Sequence, residues 1–479
     1  MRMTNVMIAN TMLNNVNRNQ HTAHRLLNRL STQRMISRPS ENPLMASRHL
    51  RFENTLSQVL QHQRNVELAN SWTEVTEQAM GDVHDLLSRV EYLLQRADAA
   101  ESLEQKQALA MEILELVEEK RTVMNKTFAG RHIFSGLRTD QPSFFPRDMP
   151  GLAFDDITTQ FTVADLESTF KLNRGHDSQV VAGVFDFPDG IERPITNEVF
   201  RIRLAHGGEP DSVRVNLGGA FVVATDIDVH RDANGNIDWA ALADDVYHDP
   251  ATGEIFFRER PDATDFPLEV MYDQHTFVQG DLNPLLYFTA TVANTGGNPS
   301  LIVGQTISME NQDMEFEFGV NTRMTINLLS MDVITSQMFA DIHGFANDIL
   351  AIRPTLQTEL TSPPRSMTTE EAVEYLARER AMIETVTNDR FNNLIGRVSG
   401  YQHTVSQQQT DLGTRMTRLE MIGGRLLDDR DTFLELITNN IGADIAETAS
   451  RLSTAEVALT AAMQVGMHNI QRMTLLNFL

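Results

Sequence analysis

The chain has 479 residues, a formal net charge of −25 and no cysteine. Disulfides, thiolate catalysis and cysteine-ligated zinc sites are therefore excluded. Residues 141–320 hold 10 Lys and Arg against 30 Asp and Glu. We interpret this acidic segment as a solvated outer domain, and its negative charge argues against nucleic-acid binding. No apolar run is long enough to span a membrane, and the asparagines near the N-terminus argue against a cleaved signal peptide.

The first 40 residues contain six arginines, no Asp or Glu and no aromatic residue. Apolar residues recur there at alternating intervals of three and four, which predicts a helix with a narrow stripe for packing against another helix. The stripe consists of Val6, Ala9, Leu13, Val16, Gln20, Ala23, Leu27 and Leu30. We expect it to be an assembly surface.

A helix break should follow at Arg38, Pro39, Ser40 and Pro43, because a residue before proline avoids the helical region. Ser40 or Asn42 can cap the next helix. We expect that helix to run from Leu44 to about Asn70. Another should carry the stripe Ala79, Val83, Leu86, Val90, Leu93 and Ala97, and a break near Ala99 precedes further helix through Val123.

The middle of the chain is predicted to be rich in β-strands. Eleven of the 16 prolines lie between Pro142 and Pro299, and proline in a helix interior costs about 3 kcal/mol. Alternation of apolar and charged residues predicts strands at 200–204 and 314–318, and short apolar runs predict strands at 221–223 and 301–303. Glycine pairs at 207–208, 218–219 and 296–297 and the Asn-Gly at 234–235 predict turns.

After Pro364 the chain contains no proline and is predicted to be helical. Weak points are expected at Gly396, Gly400, Gly413 and the pair Gly423-Gly424, and Gly442 precedes the last helix. The last helix carries a second predicted assembly stripe, which consists of Leu452, Leu459, Met463, Ile470 and Met473. We expect the two terminal stripes to pair. The alternative is a helical bundle confined to one monomer, but an isolated pair would bury little surface, so stacking on other copies is favoured.

No catalytic or metal site is predicted. There is no His-Glu-x-x-His, nucleophile elbow or phosphate loop among the motifs of the chain. The segment 228–238 superficially resembles a calcium loop, but the glutamate that should close such a loop is missing, and a turn is favoured. We therefore expect neither enzymatic activity nor a cofactor.

Several segments resemble the bacterial flagellin superfamily. Residues 30–43 (LSTQRMISRPSENP) resemble the stretch after the first helix, and residues 452–462 (LSTAEVALTAA) resemble the C-terminal helix. The Arg-Pro-Ser-x-x-Pro pattern, Phe-Ser-Gly at 134–136 and the ending MTLLNFL are most similar to hook-associated protein 3, the FlgL family. Gln33 stands where that family often has glycine. The resemblance covers residues 1–145 and 325–479.

The resemblance implies a secreted structural adaptor at the hook–filament junction of the bacterial flagellum. Its partners would be other copies of itself, hook-associated protein 1 on the hook side, flagellin on the filament side and a flagellar export chaperone. Nucleic-acid binding and membrane insertion are not expected. The alternatives are a filament flagellin, or an exported enzyme or ligand-binding protein that uses the middle segment.

The predicted fold class is α+β multidomain, with a long antiparallel helical bundle or coiled coil formed by both termini and a β-rich central insertion. We expect three domains: a terminal coiled-coil assembly domain (1–40 with 435–479), a helical rod domain (41–140 with 325–434), and an acidic β-rich outer domain (141–324) that could divide into two subdomains.

Overall fold

The computed structural model describes residues 5–98, 102–173, 179–181, 184–186, 195–205, 210–230, 242–308, 312–319, 321–352 and 369–476. The helices in these ranges are α1 (Asn5–Thr32), α2 (Pro43–Asp98), α3 (Leu103–Met124), α4 (Pro284–Tyr287), α5 (Ser330–Val333), α6 (Ser336–Ala351), α7 (Thr369–Ile441) and α8 (Ile445–Leu476).

The strands in these ranges all lie between α3 and α5. They are β1 (Thr127–Phe128), β2 (Arg131–His132), β3 (Leu152–Phe161), β4 (Glu167–Asn173), β5 (Gln179–Val181), β6 (Val184–Asp186), β7 (Ile195–Arg203), β8 (Asp211–Leu217), β9 (Ala220–Val223), β10 (Thr225–Asp226), β11 (Val246–Asp249), β12 (Glu254–Phe257), β13 (Leu268–Gln274), β14 (Thr289–Thr295), β15 (Thr306–Ile307), β16 (Glu315–Gly319) and β17 (Thr322–Thr325).

The chain divides into two compact units. The terminal unit comprises Met1–Leu68, Glu317–Arg323 and Leu419–Leu479, and the central unit comprises Ala69–Phe316 and Met324–Arg418. The predicted α+β architecture, with antiparallel helices from both termini and a β-rich centre, is confirmed. The predicted three-domain boundaries stay a prediction.

Two larger sheets form the β-rich part of the central unit. One is antiparallel with the strand order β15-β14-β3-β13-β8-β9. The other has the order β10-β11-β12-β7-β4, with one parallel pair at its β10 edge. The alternating burial along β13 shows why its sequence forms a strand with one face in the core.

The long apolar stripe predicted for the N-terminal arm lies in the core of the central unit. Its six members, Ala79, Val83, Leu86, Val90, Leu93 and Ala97, are all buried. The expected boundary near residue 70 was wrong, because α2 continues through it as one helix. The hydroxyls of Thr73 and Thr76 donate to the carbonyls of Ala69 and Trp72 inside this helix, which satisfies polar groups that could otherwise interrupt it.

Some of the strands and turns predicted for the middle of the chain can be compared with the structure. Residues 221–223 lie in β9 as predicted, and Gly218 and Gly219 form the turn before it. The strand expected at 301–303 was wrong, since this segment is a loop that exposes Ile302 and Val303. The turns predicted at 207–208 and 234–235 and most of the 228–238 segment lie outside the described residues.

Candidate assembly surfaces of the terminal helices

Helices α1 and α8 pack against each other in opposite directions. Near the end of α1, the amide of Met35 donates to the carbonyl of Ile441 at 2.7 Å, and the amide of Ala443 donates to the carbonyl of Gln33 at 2.9 Å. Farther along the pair, Gly466 lies against the terminal methyl of Met12, which leaves no room for a Cβ at this position. The two terminal segments therefore form an antiparallel pair with a defined register.

The less exposed positions of the two helices follow the same alternation of four and three residues. On α1 this series is Met12, Val16, Asn19, Ala23, Leu26 and Leu30, and on α8 it is Thr448, Leu452, Ala455, Leu459, Ala462 and Gly466. Read in opposite directions, each member of one series has a counterpart in the other, in the register set by Met12 and Gly466. This is the seam of an antiparallel coiled coil.

The predicted N-terminal stripe is only partly covered by α8. Val16, Ala23 and Leu30 are less exposed, whereas the side chains of Leu13 and Leu27 are 56% and 49% exposed. The covered face instead includes Met12 and Leu26, which sequence periodicity did not select, because neighbouring apolar residues fit either face. The apolar surface of α1 is thus wider than one helix can cover. The side chains of Val6 and Ala9 lie outside the described residues.

The predicted C-terminal stripe is divided in the same way. Leu452 and Leu459 lie on the side of α8 that meets α1, while Met463 is exposed. The side chains of Ile470 and Met473 lie outside the described residues. Exposed Val457, Met463 and other apolar side chains leave α8 with additional uncovered surface. The assembly role of both stripes stays a prediction.

The break between α1 and α2 has an exposed, capped structure. Helix α1 ends at Thr32, and Gln33 has a φ of +55°, a conformation that favours glycine. Arg38, Pro39, Ser40 and Pro43 are all exposed, and the amide of Glu41 donates to the carbonyl of Arg38 at 3.0 Å. Of the two predicted caps, Asn42 accepts from the amide of Met45 at 3.2 Å.

The N-terminal part of α2 and the C-terminal part of α7 also pack together within the terminal unit. The rings of Phe52 and Phe433 lie 6.4 Å apart, and the side chain of Asn440 donates to the carbonyl of Met45 at 3.0 Å. The outer faces of these helices expose further leucines, namely Leu44, Leu50, Leu427, Leu434 and Leu436. Isolated exposed leucines are ordinary, but a series along two helices is the kind of surface that contacts another protein.

The central unit contains a network of buried charges between the five-stranded sheet and helix α6. The Arg201 guanidinium on β7, 1% exposed, contacts Glu167 at 2.9 Å, Asp348 at 2.9 Å and Glu254. Arg203 contacts Glu254 at 3.2 Å and also pairs with Asp348. The network links β4, β7 and β12 to α6.

The electrostatics of this network favour ionised carboxylates. Burial by itself raises the pKa of Glu167, but Arg201 and Arg203 outweigh that effect and lower it to about 2. Burial also opposes the charge of Arg201, but the three carboxylates around it raise its pKa well above the ordinary value. A second cluster on α6 and α7 joins Arg397 to Asp341 at 2.6 Å, with the Tyr401 hydroxyl donating to the same carboxylate.

The central unit also has a cavity of about 240 Å³ beside this network. Its lining includes Arg203, Glu254, Asp348 and His343. The arginine and the two carboxylates already pair with one another. Burial, followed by the charge of Arg121, lowers the pKa of His343 to about 4, which keeps the imidazole neutral near pH 7. The cavity therefore presents no uncompensated charge from these groups to a ligand.

Over the described ranges, no three His, Asp or Glu side chains are grouped so that they could hold a metal ion. Within the same ranges, no helix is both long enough and apolar enough to cross a membrane.

Residues 3–139 match the family model described as the bacterial flagellin N-terminal helical region. The resemblance to the flagellin superfamily is confirmed over this segment. It spans α1, the break, α2 and α3, the region in which the predicted sequence signatures of the N-terminal arm lie. No curated protein matches the chain.

Solved structures of flagellar proteins also match over most of the chain. A protein from Vibrio parahaemolyticus assigned as a flagellar hook-associated protein is 10% identical, with 84% of this chain and 100% of that chain covered, at a TM-score of 0.36. FlgL from Xanthomonas campestris is 10% identical, with 81% and 99% covered, at 0.33. Hook-associated protein 3 from Legionella pneumophila is 12% identical, with 81% and 97% covered, at 0.33.

Proposed function

We propose that this protein is a non-enzymatic structural subunit of the bacterial flagellum that assembles through its terminal unit. The observation that carries the proposal is the uncovered half of the α1 apolar face, at Leu13 and Leu27, within a segment that matches the flagellin N-terminal region. An exposed apolar face beside an internal coiled-coil seam favours packing against further helices.

Within the flagellum, the proposed role is that of an adaptor that joins hook-side to filament-side subunits. The signatures at residues 38–43 and 473–479 support this position, since they resemble the junction family. The proposed partners are other copies of the chain, hook-associated protein 1, flagellin and a flagellar export chaperone. The proposed location is extracellular, after export from the cell.

A charged residue at Leu27 tests assembly without disturbing the monomer. Because Leu27 is 49% exposed, Leu27→Asp should leave the α1–α8 pair folded while it removes the protein from isolated flagella. Tyr92→Asp is the matched control, since Tyr92 is 53% exposed but lies in the central unit. Normal incorporation of Leu27→Asp would contradict the assembly role of this face.

The second candidate is a filament flagellin, because the matched family model is that of flagellin itself. Immunogold labelling of isolated flagella separates the two. Label confined to a ring between hook and filament is expected for the adaptor. Label along the whole filament would overturn the adaptor position in favour of the flagellin role.

A further inference from the structure

A groove runs along one side of the α1–α8 pair. It has a volume of about 480 Å³, and its lining includes Leu26 and three small side chains of α8, Thr454, Ala455 and Ala458. Arg25 and Arg29 of α1 also line it. Small residues allow another backbone to approach closely, and Leu26, Ala455 and Ala458 give the otherwise polar groove an apolar part that can receive side chains.

The two α1 arginines give this groove uncompensated positive charge. Arg25 lies 3.4 Å from the hydroxyl of Thr22, and no described carboxylate forms an ion pair with Arg25 or Arg29. Arg451, also in the lining, differs because it pairs with Glu447 at 2.6 Å. The first 40 residues contain no Asp or Glu that could neutralise them locally.

A face whose charge is complementary to that of the groove lies on the C-terminal part of α7. Two series spaced by three and four, Leu427–Asp431–Leu434 and Asp428–Asp431–Glu435, meet at Asp431, so these residues share one side of the helix. Leu427 and Leu434 are 48% and 46% exposed. Asp431 pairs with the neighbouring Arg430 at 2.8 Å, whereas neither Asp428 nor Glu435 forms an ion pair with a described cation.

We propose that the α1–α8 groove of one copy binds this α7 face of a second copy, an inference that rests on the proposed assembly function and specifies its contact. The two leucines would enter the groove over Leu26 and the small α8 residues. Asp428 and Glu435 would then lie next to Arg25 and Arg29, which complements charge at the rim and sets the register. Groove and face are different surfaces, so the contact is head-to-tail and can continue into a ring or helix.

Charge reversal in the full-length chain tests this contact. Arg25→Glu with Arg29→Glu should reduce copy-to-copy association at least about tenfold, and so should Asp428→Lys with Glu435→Lys. A mixture of the two variants should recover association, because the reversed groove of one then faces the reversed ridge of the other. Arg96→Glu with Arg131→Glu, an equal charge change at exposed sites of the central unit, should have no effect.

The association is measured by disulfide cross-linking, since the natural chain has no cysteine. Copies carrying Ala458→Cys are mixed with copies carrying Leu434→Cys, and the heterodimer is quantified both in solution and in isolated flagella. Circular dichroism establishes that each charge variant keeps the helix content of the natural chain.

The outcomes separate this contact from the assembly role itself. Incorporation into flagella without the cross-link between positions 458 and 434 would overturn the proposed contact and leave the assembly function standing. Absence of the chain from flagella would contradict the proposed function, and the cross-link in solution would then decide the contact alone. Unchanged association of the reversed-groove variant, or failure of the mixture to recover association, would also overturn the contact.

Discussion

The two units of this protein use charge and apolar surface in opposite ways. In the central unit, arginines and carboxylates are buried together between sheet and helix, and each of the charged groups around Arg201 has a partner. In the terminal unit, Arg25, Arg29 and Asp428 form no ion pair with a described residue, and leucines lie exposed beside them. The charged network of the central unit is complete in one copy, whereas the terminal unit has surfaces that a second copy could complete.

The distribution of exposed apolar side chains sharpens this contrast. More than half of the strongly exposed large apolar residues in the described ranges belong to the terminal unit, although it contains less than a third of the chain. A soluble monomer gains nothing from that arrangement, since each such side chain loses the benefit of burial. In a subunit that buries these side chains on assembly, the same apolar residues stabilise the assembled state.

The largest expected effect comes from breaking the closed network of the central unit. Arg201→Met should lower the free energy of unfolding of this unit by about 3–5 kcal/mol, because Glu167, Glu254 and Asp348 would stay buried with Arg203 as the one remaining cation of the network. Calorimetry and hydrogen exchange of the β7 amides measure the loss.

The matched change in the terminal unit is Arg25→Met. Because Arg25 is exposed and forms no ion pair with a described carboxylate, the stability of the isolated chain should change by less than about 0.5 kcal/mol. Similar losses for Arg201→Met and Arg25→Met would remove the basis for distinguishing the two units.

A smaller effect is expected at Asp281, a carboxylate of the central unit that is not well compensated. Burial raises the pKa of Asp281 from 3.8 to about 6, although the amide of Val278 donates to it at 2.8 Å and Arg121 acts in the opposite direction. Between these two pKa values the folded state binds more protons than the unfolded state. The stability that the protonated carboxyl of Asp281 contributes is therefore lost as the pH rises from about 4 to 6.

Asp281→Asn removes this titration and keeps an acceptor for the Val278 amide. The variant should be more stable than the natural chain by about 3 kcal/mol at pH 7 and by less than about 1 kcal/mol at pH 4. Urea unfolding at the two pH values measures the difference. A stability gain that is the same at both values would show that the titration of Asp281 is not its cause.

Sequence periodicity predicted the helices better than it predicted their contacts. All six members of the stripe predicted on α2 lie in the core, and neighbouring Met80, Leu87 and Leu94 are buried with them, so this part of α2 is covered on a broad face. The α1 stripe was displaced by one residue at Leu13 and Leu27, because adjacent Met12 and Leu26 are equally apolar. The choice between neighbouring faces depends on the register with α8, which local sequence does not contain.

The buried network and the groove were beyond prediction for a related reason. Arg201 and Arg203 alternate with apolar residues in β7, a pattern that is typical of charged residues on the solvent side of a half-buried strand. They are buried because Asp348, far away in sequence, lies against them from α6. Likewise, the groove joins Arg25 of α1 to Thr454 of α8, and only the folded antiparallel pair brings those positions together.

The smallest expected effect concerns the exposed break after α1. Gln33 adopts a φ of +55°, which costs a residue with a side chain roughly 1 kcal/mol, and its carbonyl accepts from the amide of Ala443 at 2.9 Å. Gln33→Gly should relieve this strain and slow hydrogen exchange of the Ala443 amide by about threefold, after the entropy cost of glycine is subtracted. Gln33→Ala should give no gain, because alanine keeps the Cβ. Faster exchange in the glycine variant would instead show that a restricted backbone at Gln33 holds α1 in register with α8, and would make this break part of what positions the uncovered face of α1.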